Sequence, residues 1–125
     1  MKNLDQIRTA AAMAFWQNPP HPEWRGESGN RHIGVAVSRI YRQGLLCAIS
    51  AAKNQSPPGH PGPEEMVMLE IGRFLASRDR ALLAFTVNTT EDFLRGLAGG
   101  PSSLLLQATQ EALLYLGYLK RLHPH

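Results

Sequence analysis

Along most of this chain apolar residues recur every three or four positions, the period of a helix with one buried face. Leu4, Ile7, Ala11, Ala14 and Phe15 follow Asn3 and Gln6, which have the spacing of a capping box, so a first helix is predicted to run to Gln17. Asn18-Pro19-Pro20-His21-Pro22 stops it, because consecutive prolines remove donors and push the preceding residues out of the α region. The glycine-containing stretch 18–30 is predicted to be a loop. Ile33, Val37, Ile40, Gly44, Cys47, Ala48 and Ala51 then share one arc of a helical wheel, which predicts one uninterrupted helix from Arg31 to Lys53 with Cys47 in the core. Residues 54–63 are too rich in Pro and Gly to be other than an exposed connector. Pro63, Glu64 and Glu65 open a further helix with Val67, Ile71, Phe74 and Leu75 inside.

The dense apolar run Ala81 to Val87 fits a short helix or a strand, and helix is preferred because no second strand exists to pair with it. Thr89 and Asp92 repeat the capping-box spacing before Phe93, Leu94 and Leu97, and Gly99-Gly100 ends that helix. The last helix reads from Ser102 to Leu122, with Leu105, Ala108, Ala112, Tyr115, Leu116, Leu119 and Leu122 on one side. The pattern predicts an all-α fold, a single domain over residues 1–125 built as a bundle of about five to six helices.

The polar side of the long predicted helix changes this picture. Arg31, Arg39, Arg42 and Lys53 fall within an arc of roughly 80° opposite the apolar stripe, strung over about 33 Å of helix. From Ser28 to Pro63 there is no Asp or Glu, so none of the four has an acid one turn away on its own helix. A solvated helix face ordinarily mixes both signs. A row of cations without acids, with Val35, Leu46 and Ile49 among them, reads as a contact surface for a polyanion and a protein partner.

Composition narrows the rest. Hydrophobic residues are 43% and charged residues 18% of 125 positions, which is globular composition. A formal charge of +3 is mildly basic and permits nucleic acid without requiring it. Cys47 is the only cysteine, which excludes a disulfide framework and a cysteine-based metal site and fits a reducing, cytoplasmic setting. The first 17 positions have no signal-peptide core, and no stretch approaches a membrane span.

Catalytic material is thin. There is no Gly-rich phosphate loop, HExxH, CxxC or GxSxG, and no cofactor or metal is expected, although His123 and His125 have spacing that weakly permits one. Arg25 followed after six residues by His32 is similar to the Arg–His pair of helical HEPN ribonucleases. Gly26 and Gly29 interrupt it, and a glycine-broken loop would not hold the two groups around a scissile phosphate.

Three segments carry a wider resemblance. They are Asp5-Gln6-Ile7-Arg8-Thr9-Ala10-Ala11, Ile40-Tyr41-Arg42-Gln43-Gly44-Leu45, and Thr109-Gln110-Glu111-Ala112-Leu113-Leu114-Tyr115-Leu116-Gly117-Tyr118-Leu119-Lys120-Arg121, the last being the most specific. In this order they resemble the small helical subunit of type III-B CRISPR (Cmr) effector complexes. The resemblance implies a non-catalytic antiviral-defence subunit that stacks with further copies of itself as a minor filament. Its neighbours would be RAMP-fold backbone subunits and the large palm-domain subunit, and it would face guide RNA and target RNA. On that reading Arg31, Arg39, Arg42 and Lys53 contact RNA, with Lys120 and Arg121 as a secondary patch. Val35, Leu46 and Ile49 would meet protein neighbours, joined by Leu106 and Leu113 of the last helix. The Pro-rich loops 18–30 and 54–63 are not features of that family.

Overall fold

In a computed structural model describing residues 2–124, the described residues form six α-helices and no strand. They are α1 (Leu4–Gln17), α2 (Glu27–Gln43), α3 (Leu45–Asn54), α4 (Pro63–Ala76), α5 (Thr90–Ala98) and α6 (Ser102–Arg121). The two capping boxes form as the spacing requires: Asn3 Oδ1 accepts from Gln6 N at 2.8 Å while Gln6 Oε1 accepts from Asn3 N at 2.9 Å, and Thr89 and Asp92 make the same exchange at the start of α5. Pro63 is the first residue of α4, with Glu64 and Glu65 in its first turn. One core gathers Phe15, Trp16, Ile33, Ile40, Ile49, Met68, Ile71, Leu75, Phe93 and Leu116, drawn from all six helices.

Several expectations are corrected. The helix expected from Arg31 to Lys53 is two helices, because Gly44 sits at φ 82°, a left-handed conformation that suits glycine and ends α2. Beyond that break the buried side of α3 is Leu45, Ala48, Ile49 and Ala52, a stripe turned about 100° from the one an unbroken helix would give. Cys47 is therefore exposed instead of in the core, and Ile49 is fully buried. The stretch 81–87 is irregular. It leaves α4 through Ser77, whose hydroxyl caps the last turn at Phe74 O, and Leu82 and Leu83 N–H both donate to Leu75 O, so its leucines are held by the end of α4 and need no helix of their own.

The loop after α1 is shorter than its composition suggests. Pro22–Arg25 form a turn of 3-10 helix and α2 begins at Glu27, so Gly29 lies inside a helix. A β-carbon at Gly29 would fall 1.9 Å from Trp24 O, so glycine there lets the first turn of α2 pack directly on the backbone of the 3-10 turn. Trp24, 2% exposed, fills the space beneath.

Candidate nucleic-acid interface

The cations expected to form one ridge separate into two groups. Arg39 Nη2 lies 3.0 Å from Glu64 Oε2 in the first turn of α4, and both side chains are largely withdrawn from water. Lys53 Nζ lies 3.4 Å from Glu91 of α5. Neither acid is on the helix of its partner, so for these two the sequence argument about neighbouring turns holds, while the inference that they stand alone does not. Arg39 also donates to Gln55 at 3.2 Å. This arginine ties α2 to the end of α3 and the start of α4.

Arg31 and Arg42 differ. Both are exposed, and no described acid comes within ion-pair distance of either. Because α2 begins four residues earlier than expected, Glu27 does lie one turn before Arg31 on the same helix, a correction to the sequence reading; it sits in the first turn, where the helix dipole favours an acid. Eleven residues separate the two arginines, a rise of about 16 Å along one side of α2.

The last helix completes this face. Leu105 and Leu106 at the start of α6 line one groove with Gly44, Leu45 and Leu46 of the α2–α3 junction, while at its other end Lys120 Nζ is 4.0 Å from where a β-carbon would stand on Gly34. The two helices therefore run antiparallel, and the lysine lies beside α2 at Gly34, one turn from both Arg31 and Ser38. Arg121 stands over the Tyr118 ring at 4.5 Å, a cation–π contact that fixes the guanidinium without neutralising it. Tyr118 in turn donates its hydroxyl hydrogen bond to Asp5 of α1. Arg31, Arg42, Lys120 and Arg121 thus remain without a described ion-pair acid, on adjoining sides of two packed helices.

The residues expected to meet a protein neighbour are dispersed. Val35 and Leu46 are half-buried and Ile49 is inaccessible, 0% exposed, because the break at Gly44 turns it inward. Leu106 is 60% exposed. Together with Leu46, Cys47 and Leu105 it lines a shallow apolar groove where α3 meets α6.

Arg25 and His32 have separate commitments. Arg25 donates to the carbonyls of Trp16, at 3.0 Å, and Gln17, securing the end of α1. His32 packs on the Trp24 ring with centroids 4.9 Å apart, and burial, reinforced by the Arg31 charge, holds its pKa below the usual imidazole value. His123 is buried beside Trp16, and its Nε2 is 3.1 Å from Trp24 O and 2.8 Å from Gly26 O. It anchors the chain end to the 3-10 turn. His125, its expected partner for a metal, lies outside the described residues.

A buried ionic cluster lies outside the sequence expectations. Glu111 of α6, 3% exposed, accepts from Arg8 at 2.6 and 2.8 Å in a two-pronged pair and from Arg80 at 2.8 Å. Burial alone would raise its carboxyl pKa, but the hydrogen bonds from Arg8 and Arg80 outweigh it and hold the group below the usual range. The signal was present: Glu111 is the only acid in α6 and falls on its apolar stripe between Ala108 and Ala112, where a carboxylate requires a partner.

No family model, curated protein or solved structure matches the chain.

Proposed function

We propose that the protein is an RNA-contacting, non-catalytic subunit of a ribonucleoprotein, the small helical subunit of a type III-B CRISPR effector. Its partners on this reading are guide and target RNA, RAMP-fold backbone subunits, the large palm-domain subunit and further copies of itself in the cytoplasm. The observation that carries the RNA contact is the group of cations without ion-pair acids, Arg31 and Arg42 on α2 and Lys120 and Arg121 at the end of α6. Exposed cations whose charge the protein does not neutralise are free to replace counterions along a phosphate backbone, and such contacts position a strand without reading its sequence. The three-segment resemblance supplies the particular assembly.

A ribonuclease reading built on Arg25 and His32 has less behind it, since the guanidinium is occupied by two backbone carbonyls and the imidazole packs at a tilt against Trp24. The subunit reading is tested by affinity purification of the tagged protein from its native host. Recovery of a short RNA of uniform length together with RAMP-fold subunits is expected. Recovery of the protein alone, or with DNA, would overturn it.

A further inference from the structure

Tyr115 is 2% exposed, and its ring stacks on Phe74 at 4.2 Å with planes 10° apart. A tyrosine this deeply placed ordinarily directs its hydroxyl to a partner, yet no described residue hydrogen-bonds to this one. Tyr115 instead forms part of the wall of a cleft of about 450 Å³ between α1 and α4, within the range of small-molecule sites. Ala11, Ala14 and Phe15 of α1 and Phe74 of α4 make its apolar lining, and Glu70 stands at the same wall. The short alanine side chains keep the cleft open, while the tyrosine hydroxyl gives its wall a polar group with no described protein partner.

The charges define what would fit. Glu70 is 3.4 Å from Arg73 and Asp79 is 3.9 Å from Lys2, so the acids and bases around the opening balance and favour neither anion nor cation. Among the lining groups, the phenol can donate one hydrogen bond and the Glu70 carboxylate can accept one. Burial raises the Tyr115 pKa well above its ordinary value, with the Glu70 charge adding to the effect, so the hydroxyl keeps its proton throughout the neutral range.

We propose that this cleft binds a small, uncharged ring carrying an amide edge, the Tyr115 hydroxyl donating to its carbonyl oxygen and the Glu70 carboxylate accepting from its N–H. The ring lies on the apolar surface of Ala11, Phe15 and Phe74. The site is on α1 and α4, not on the α2–α6 cations, and does not depend on RNA binding.

The full-length protein is titrated with benzamide and, separately, with uracil while amide ¹H–¹⁵N resonances are followed, to about 10 mM, the affinity range open to so small a ligand. Saturable shifts confined to the cleft segments of α1 and α4 are expected with at least one probe. Tyr115→Phe should weaken that binding about fivefold, the factor for one hydrogen bond of about 1 kcal/mol, with an unchanged melting temperature because the hydroxyl holds no protein partner. Ala14→Leu, at an exposed position, should fold normally and abolish the shifts by filling the cleft. Absence of saturable shifts with both probes, shifts centred elsewhere, or unchanged binding by Tyr115→Phe would overturn the proposal. A marked loss of melting temperature in Tyr115→Phe would do so as well.

Discussion

Arg39 and Glu64 face each other at 3.0 Å across the α2–α4 contact, with the two side chains 16% and 22% exposed. That pair separates this arginine from Arg31 and Arg42 on the same helix. It makes Arg39 a structural residue in the isolated protein, whatever its exposed neighbours touch.

Reversing Arg39 should consequently damage the fold. Arg39→Glu places a second acid beside Glu64 in a poorly solvated setting, and a loss of about 2 kcal/mol is expected. Adding Glu64→Arg should recover part of it. Arg42→Glu, at an exposed position without a described ion-pair partner, should change stability by less than about 0.5 kcal/mol. Urea denaturation of these proteins together with Glu64→Arg alone measures the coupling, and equal effects of Arg39→Glu and Arg42→Glu would contradict the division.

The Glu111 cluster predicts an acid-sensitive fold. Because its folded pKa lies below the reference value of 4.5, the unfolded chain binds more protons between the two values, and stability falls as pH drops through that window. Glu70 has the opposite sign. Burial raises its folded pKa above 4.5 despite Arg73, so its contribution falls as pH rises through its own window. Glu111→Gln, which leaves Arg8 and Arg80 without a counter-charge, should cost about 3 kcal/mol near neutrality and flatten the loss of stability below the reference pH. Urea midpoints measured across pH for both proteins check this, and parallel profiles would show that Glu111 is not the group responsible.

Gly29 should tolerate no side chain. With Trp24 O 1.9 Å from the added β-carbon, Gly29→Ala must move the 3-10 turn or the start of α2, at a cost of about 3 kcal/mol. Because Trp24 and Gly26 carry the carbonyls nearest His123 Nε2, the chain end should loosen with it, seen as faster amide exchange around Leu122 and His123. Wild-type exchange and stability in Gly29→Ala would contradict the close approach.

The sequence shows where most helices start because those signals are local: Asn3 with Gln6, Thr89 with Asp92, and Pro63 each act within one turn. The breaks are less legible. Gly44 continues an apolar arc, and a glycine inside a periodic stretch reads as tolerated unless its φ is known, so the rotation that buries Ile49 and exposes Cys47 was hidden. The partners of Arg39 and Lys53 lie 25 and 38 positions away, beyond any argument from helical spacing. Lys120 is the converse. Its place beside α2 depends on the antiparallel course of α6, which the last helix's own pattern leaves undetermined. The alternate reading of 81–87 as a strand failed for the same reason as the helix, since its N–H groups at Leu82 and Leu83 turn back to Leu75 O.

The most direct test of the proposed RNA contact is the salt dependence of RNA affinity with Arg31, Arg42 and Lys120 replaced together by glutamine. None of these side chains has a described ion-pair acid, so the melting temperature of the free protein should stay within a degree or two of wild type. For every phosphate that a substituted side chain no longer neutralises, the slope of log affinity against log salt should fall by about 0.7 for a single strand. The total is about 2 if all three engage, and it should be the same for unrelated RNA sequences. An unchanged slope, or an effect confined to one sequence, would contradict the assignment of this face to the RNA backbone.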